Sequence, residues 1–152
     1  MRRIIILGLV LFASVVRADY FEPKRGSEMR QALMDALRPH AEWLLGAPAL
    51  FVISELRVAT KKDLGLPFDV AFAVVEARRP DGSEINLWET PGVERGDLDP
   101  HSMDGATFQV LYRREGKMWV AVHWEIGALD AWFTDTIYCP DYFAVIPEVC
   151  AG

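Results

Sequence analysis

Two runs of alternating side chains, Ala106–Arg114 and Met118–Ile126, stand on either side of Glu115-Gly116-Lys117. Period-two alternation puts successive side chains on opposite faces of a strand, and a short glycine-containing connection turns the chain back on itself as a hairpin. In the first run Phe108, Val110 and Tyr112 oppose Thr107, Gln109 and Leu111. In the second, Met118, Val120, Val122, Trp124 and Ile126 oppose Trp119, Ala121, His123 and Glu125. A lone hairpin is barely stable in water, so the fold must add strands and a layer that covers one face.

The upstream sequence supplies both. Leu50–Val58 is rich in β-branched residues, with Leu50, Val52, Leu56 and Val58 on one face and Ser54 interrupting it. Phe68–Ala77 carries a bulky face (Phe68, Val70, Phe72, Val74) and a small one (Asp69, Ala71, Ala73, Val75) that suits a helix packed above it. Arg78–Gly82, RRPDG, has turn chemistry, and a short strand is expected near Glu84–Trp88 before a long loop over Thr90–Gly105. Before the strands, Ser27 is a helix N-cap and Met29, Leu33, Ala36 and Leu37 recur at helical spacing. Pro39 should kink or break that helix, with a second short helix over PHAEWLLG facing Trp43 and Leu44 to the core and ending at Gly46. The expectation is an α+β domain in which an N-terminal helix packs on a curved antiparallel sheet of 4–5 strands. By element order this resembles the cystatin-like and nuclear-transport-factor-like roll, a fold that settles no function.

The run RQALMDALRP, then LG-x-P, FV…LRV, RPDG and LYRREGKMWV, resembles a group of small exported proteins of Gram-negative bacteria. The similarity extends from Ser27 to Trp124 and implies export and fold, with no activity attached. The loop LGLPFDVAF and the cysteine-bearing tail depart from the group's pattern.

Export is also written in the first eighteen residues. Arg2 and Arg3 precede an apolar run, Ile4–Val16, and Val16-Arg17-Ala18 ends it with a small residue. This is the layout of a cleavable signal peptide, and the run is too short to span a bilayer, which takes roughly 20 apolar residues. A retained N-terminal anchor is the alternative. Cleavage leaves a single domain, 19–152, in the periplasm or outside the cell, with no membrane span. Losing the three arginines of the leader takes the formal charge from −6 to −9. So acidic a chain repels phosphate backbones, and nucleic acid is not an expected partner. Cys139 and Cys150 are the only cysteines; in an oxidising compartment they read as a structural disulfide, the alternative being a redox or metal-binding pair.

Few residues suggest chemistry. His123 and Glu125 lie two apart on one strand, with Trp119 and Ala121 expected on the same face as a pocket floor. A histidine oriented by a carboxylate can serve as general base, so a small hydrolase or isomerase using His123 with Glu125 or Asp69 is one reading. No nucleophile motif accompanies it. Asp99, His101 and Asp104 lack the pattern of a calcium loop and read as an exposed turn, so no metal or cofactor is expected. The aromatic residues are more suggestive, because Trp119 on the sheet and Trp132 and Tyr138 in the tail suit an interface or a ligand cleft. The sequence thus points to a non-catalytic binding or accessory protein. Its candidate contact residues are Trp119, His123, Glu125, Trp132 and Tyr138, and its partner is an envelope protein or a small apolar ligand. The oligomeric state is open.

Overall fold

The computed structural model describes residues 20–150; the leader, 1–18, lies outside them. One long helix, α1 (Glu28–Leu45), packs on a four-stranded antiparallel sheet formed by β1 (Leu50–Ala59), β2 (Val70–Arg78), β3 (Thr107–Glu115) and β4 (Met118–Ile126) in the spatial order β1-β2-β3-β4. The α+β class follows directly.

α1 starts where Ser27 accepts a hydrogen bond from the Arg30 N–H (3.3 Å) and Glu28 places a negative charge in the first turn. It stops at Gly46, whose N–H still donates to the Glu42 carbonyl but whose φ of 85° turns the chain out of the helix. The helix does not break at Pro39, contrary to expectation. Pro39 is exposed, and so is Asp35, whose carbonyl the proline leaves without a helical donor. A helix-interior proline costs about 3 kcal/mol. Beyond it the same helix buries Ala41, Leu44 and Leu45, and each leucine returns roughly 1.5–3 kcal/mol. The last carbonyls are met from outside: Arg95 donates to that of Trp43 (2.8 Å) and Arg79 to those of Leu45 and Gly46 (3.1 and 3.3 Å). Leu44 is buried as expected, but Trp43 is 64% exposed under the Arg95 guanidinium (4.1 Å).

Two bulges govern which side chains meet which layer. In β1 the pairing with β2 slips between Ile53 and Glu55, leaving Ser54 as the extra residue, its hydroxyl donating to the Val74 carbonyl (3.1 Å). Parity reverses there. Phe51 and Ile53 therefore join Leu56 and Val58 beneath α1, while Leu50 and Val52 are 44% and 41% exposed. In β4 the slip falls at Val122, between the Leu111–His123 and Tyr112–Ala121 pairs.

The sheet is covered on both faces. Under α1 lie the small side of β2 (Ala71, Ala73, Val75, Ala77) with Phe108, Val110 and Tyr112 of β3, as the alternation predicts. On the other face Val70, Phe72 and Leu111 pack against Tyr142, Ala144, Val145 and Ile146 of the tail. That tail is closed by the Cys139–Cys150 disulfide, 11 residues apart in sequence. The short strand expected near Glu84–Trp88 is absent. Glu84 keeps a single bridge to Arg78, and the Asn86 side chain accepts from the Trp88 N–H (3.3 Å), which turns Leu87–Glu89 into a 3-10 helix. Among the described residues no helix is long and apolar enough to cross a membrane.

Candidate functional site

The bulge at Val122 decides which candidate residues can act together. Trp119 and Ala121 precede it and face α1; Trp119 is 8% exposed and belongs to the core. His123 and Glu125 follow it and are both exposed. Trp119 is therefore not the floor of a His123 pocket, as strict alternation would have it, but part of the helix–sheet packing.

His123 meets the tail instead. Its ring centroid lies 5.1 Å from that of Tyr138 and 6.1 Å from that of Tyr142. Tyr138 meets Trp132 edge-on at 5.3 Å, Trp132 meets Phe133 edge-on at 6.1 Å, and Phe133 lies 4.7 Å from the buried Phe72. Tilted and edge-to-face contacts of this kind satisfy ring quadrupoles and add about 0.5–1.5 kcal/mol each beyond area burial. The result is a run of rings from the core at Phe72 to solvent at His123. Trp132 and Tyr138 are half-buried along it. Of the five residues singled out by sequence, His123, Trp132 and Tyr138 come together; Glu125 shares their sheet face, and Trp119 does not join them.

The electrostatics are modest. No hydrogen bond or ion pair joins His123 to Glu125 or to Asp69. Asp69 is occupied elsewhere, facing Arg114 (3.2 Å) and accepting from the Lys61 N–H (2.9 Å). Burial pushes the Tyr142 hydroxyl up to about 12. Among the shielded polar atoms without a hydrogen-bond partner are Gln109 Oε1 on the sheet and Trp132 Nε1 in the tail. Among the described residues no group of three or more His, Cys, Asp or Glu side chains is placed to hold a metal ion. In the 99–104 loop the Asp99 carboxylate accepts from the His101 N–H (3.0 Å), and the His101 ring turns edge-on to Trp88 (4.7 Å).

The tail is held over this face by Arg57, which sequence reasoning missed. Its guanidinium donates to the Val145 carbonyl (2.9 Å) and to Glu148 (2.7 Å), pairs with Glu55, and lies over the Tyr20 and Phe72 rings at 5.0 and 5.5 Å. Burial works against the charged guanidinium, but Glu148 and Glu55 outweigh it and leave its pKa raised. Nothing local in LFVISELRV marks Arg57 as a clamp, because Glu148 is 91 residues away. A separate groove of about 640 Å³ runs between α1 and β1, past Met34, Arg38, Phe51 and Ile53, and contains none of the candidate residues.

Comparison with known proteins adds no identity: no protein-family profile, curated protein or solved structure matches the chain.

Proposed function

We propose that this is an exported, non-catalytic binding or accessory protein of the bacterial envelope, and that its contact surface is the sheet face and tail where His123, Tyr138 and Trp132 converge. The observation that carries the reading is the unbroken run of rings from buried Phe72 to exposed His123. Aromatic side chains with a polar edge, anchored in a core and open at one end, lose little conformational entropy on contact with a partner. His123 stands exposed with neither a nucleophile nor a carboxylate bonded to it, which favours contact over acid–base chemistry. Export is supported by the signal-like leader, the resemblance to small exported proteins and the disulfide. The partner is an envelope protein or a small apolar ligand.

Native mass spectrometry of the protein isolated gently from its own envelope tests this. A reproducible bound mass, lost when His123, Trp132 and Tyr138 are replaced by alanine in a chain that still folds, is the expected result. A bound mass unaffected by the three substitutions places the contact elsewhere, and a bare chain in every preparation removes the proposal.

A further inference from the structure

The antiparallel order brings the end of β2, the start of β3 and the end of β4 to one end of the sheet, as the Leu50–Arg78, Glu76–Thr107 and Phe108–Ile126 pairs require. The long connection at that end, residues 79–106, carries seven Asp and Glu against two Arg. All seven acids are exposed, and only Asp97 is ion-paired, to Arg95 (2.9 Å). Positive charge nearby reaches Asp81 from Arg79 and Glu84 from Arg78, and among the described residues Glu89, Glu94, Asp99 and Asp104 stay outside any ion pair. Arg95 also caps the Trp43 carbonyl, and Arg79 is bound to the last carbonyls of α1. The loop that follows β4 adds Asp130 and Asp135 and no base.

Large apolar side chains stand among these charges. Trp88 is 56% exposed, Trp43 64% and Leu129 74%. At the same end a cleft of about 470 Å³ is lined by Leu98, Trp124 and Ile126 together with Asp97, Asp99 and Glu125. Exposed aromatics beside a concave apolar floor are what interfaces use for anchoring, and a ring of like charges steers a partner of opposite sign toward them.

The opposite end of the sheet has the opposite balance: residues 60–69 and 113–117 hold five Lys and Arg against three Asp and Glu. Its arginines are committed, Arg114 to Asp69 and Arg113 to Glu115 and the Phe68 ring, which among the described residues leaves the exposed Lys61, Lys62 and Lys117 as its bases outside ion pairs. At that end a second copy would therefore present lysines and no free guanidinium, the weaker match to exposed tryptophans.

We infer that the 79–106 end is a docking surface for a basic protein face, one presenting Arg or Lys side chains with apolar residues between them. The inference does not depend on the tail cluster.

The test uses ¹⁵N-labelled protein titrated with two synthetic peptides, one alternating arginine with leucine and the other glutamate with leucine, read by amide and indole shift changes. The expected result is saturable change at the Trp43 and Trp88 indoles and across residues 89–104 with the arginine peptide alone. Affinity should fall about tenfold or more when Glu89→Gln, Glu94→Gln and Asp104→Asn are combined, because steering and rim charges set it. Among the described residues none of those three side chains takes part in a hydrogen bond or ion pair, so the variant should keep its spectrum elsewhere. Trp88→Ala should weaken binding without changing its salt dependence. Shifts centred on the tail, equal binding of both peptides, or undiminished affinity in the triple variant would each overturn the inference. Self-association of the free protein that disappears in the triple variant would assign the surface to a second copy and overturn it as well.

Discussion

The His123 and Tyr138 rings lie 5.1 Å apart with their planes inclined by 60°, joining an exposed position on β4 to the tail. Replacing Tyr138 by alanine removes the ring that shields His123 and supports Trp132. The His123 ring protons should then move toward the shifts of a free histidine, whereas Tyr138→Phe should leave them nearly in place. Histidine shifts unchanged in Tyr138→Ala would mean that the tail does not sit on β4 as described.

Arg57 and Glu148 are 2.7 Å apart, but the two ends of this pair are not equivalent. The Glu148 side chain is 51% exposed, and the Arg57 side chain 15%. An exposed carboxylate contributes little to a surface pair, so Glu148→Gln should cost under about 1 kcal/mol. Arg57→Ala loses the bond to Val145, strands Glu55 and uncovers the Phe72 ring, and should cost about 2–3 kcal/mol. Urea denaturation of both variants measures the difference.

Tyr112 is fully buried beneath α1 and its hydroxyl has no partner. An unpaired buried hydroxyl costs about 1–3 kcal/mol of desolvation, so Tyr112→Phe should be neutral or stabilising in thermal unfolding. Tyr112 and Tyr142 also shape the alkaline limb of stability. Burial raises both hydroxyls above the ordinary value near 10, Tyr142 to about 12. The folded state therefore holds these protons more tightly than the unfolded one. The stabilisation is complete below pH 10 and falls as pH rises through the folded values. The double phenylalanine variant should show a flatter decline above pH 10.

Closing an 11-residue separation with Cys139–Cys150 stabilises by about 3 kcal/mol on the chain-entropy account. Replacing both cysteines by serine should lower stability by up to that amount. Amide exchange should rise first around Tyr142–Ile146, with the α1 face less affected.

Gly92 sits where a methyl group would come within 2.8 Å of the Leu44 carbonyl and 2.9 Å of the Leu98 side chain. Gly92→Ala should therefore force the Pro91–Glu94 turn away from α1 and cost about 1–3 kcal/mol. A melting temperature equal to that of the unaltered protein would contradict this packing.

The parts of the fold that follow from local pattern were legible in the sequence. The hairpin at Glu115–Lys117, the small face of β2 under a helix, Ser27 as an N-cap, Gly46 as a C-cap (though expected for a separate second helix), and the Cys139–Cys150 bridge all express one short-range rule each. The bulges were not legible. An extra residue at Ser54 or Val122 leaves composition and alternation on either side unchanged, yet it exchanged Val52 for Ile53 in the core and separated Trp119 from His123. Long-range partners were equally hidden. Trp43 stays exposed because Arg95, 52 residues later, stacks on it and takes its carbonyl, and Pro39 is tolerated because the leucines beyond it find a sheet to bury against.

The central claim, that the His123–Tyr138–Trp132 surface binds a partner, is tested most directly by photocrosslinking in the native envelope. A photoreactive residue is placed at Tyr138 and, as the comparison, at Met118, which is 70% exposed at the far end of β4. The account predicts one discrete adduct from Tyr138 and none from Met118. No adduct from Tyr138, or the same products from both positions, would contradict it.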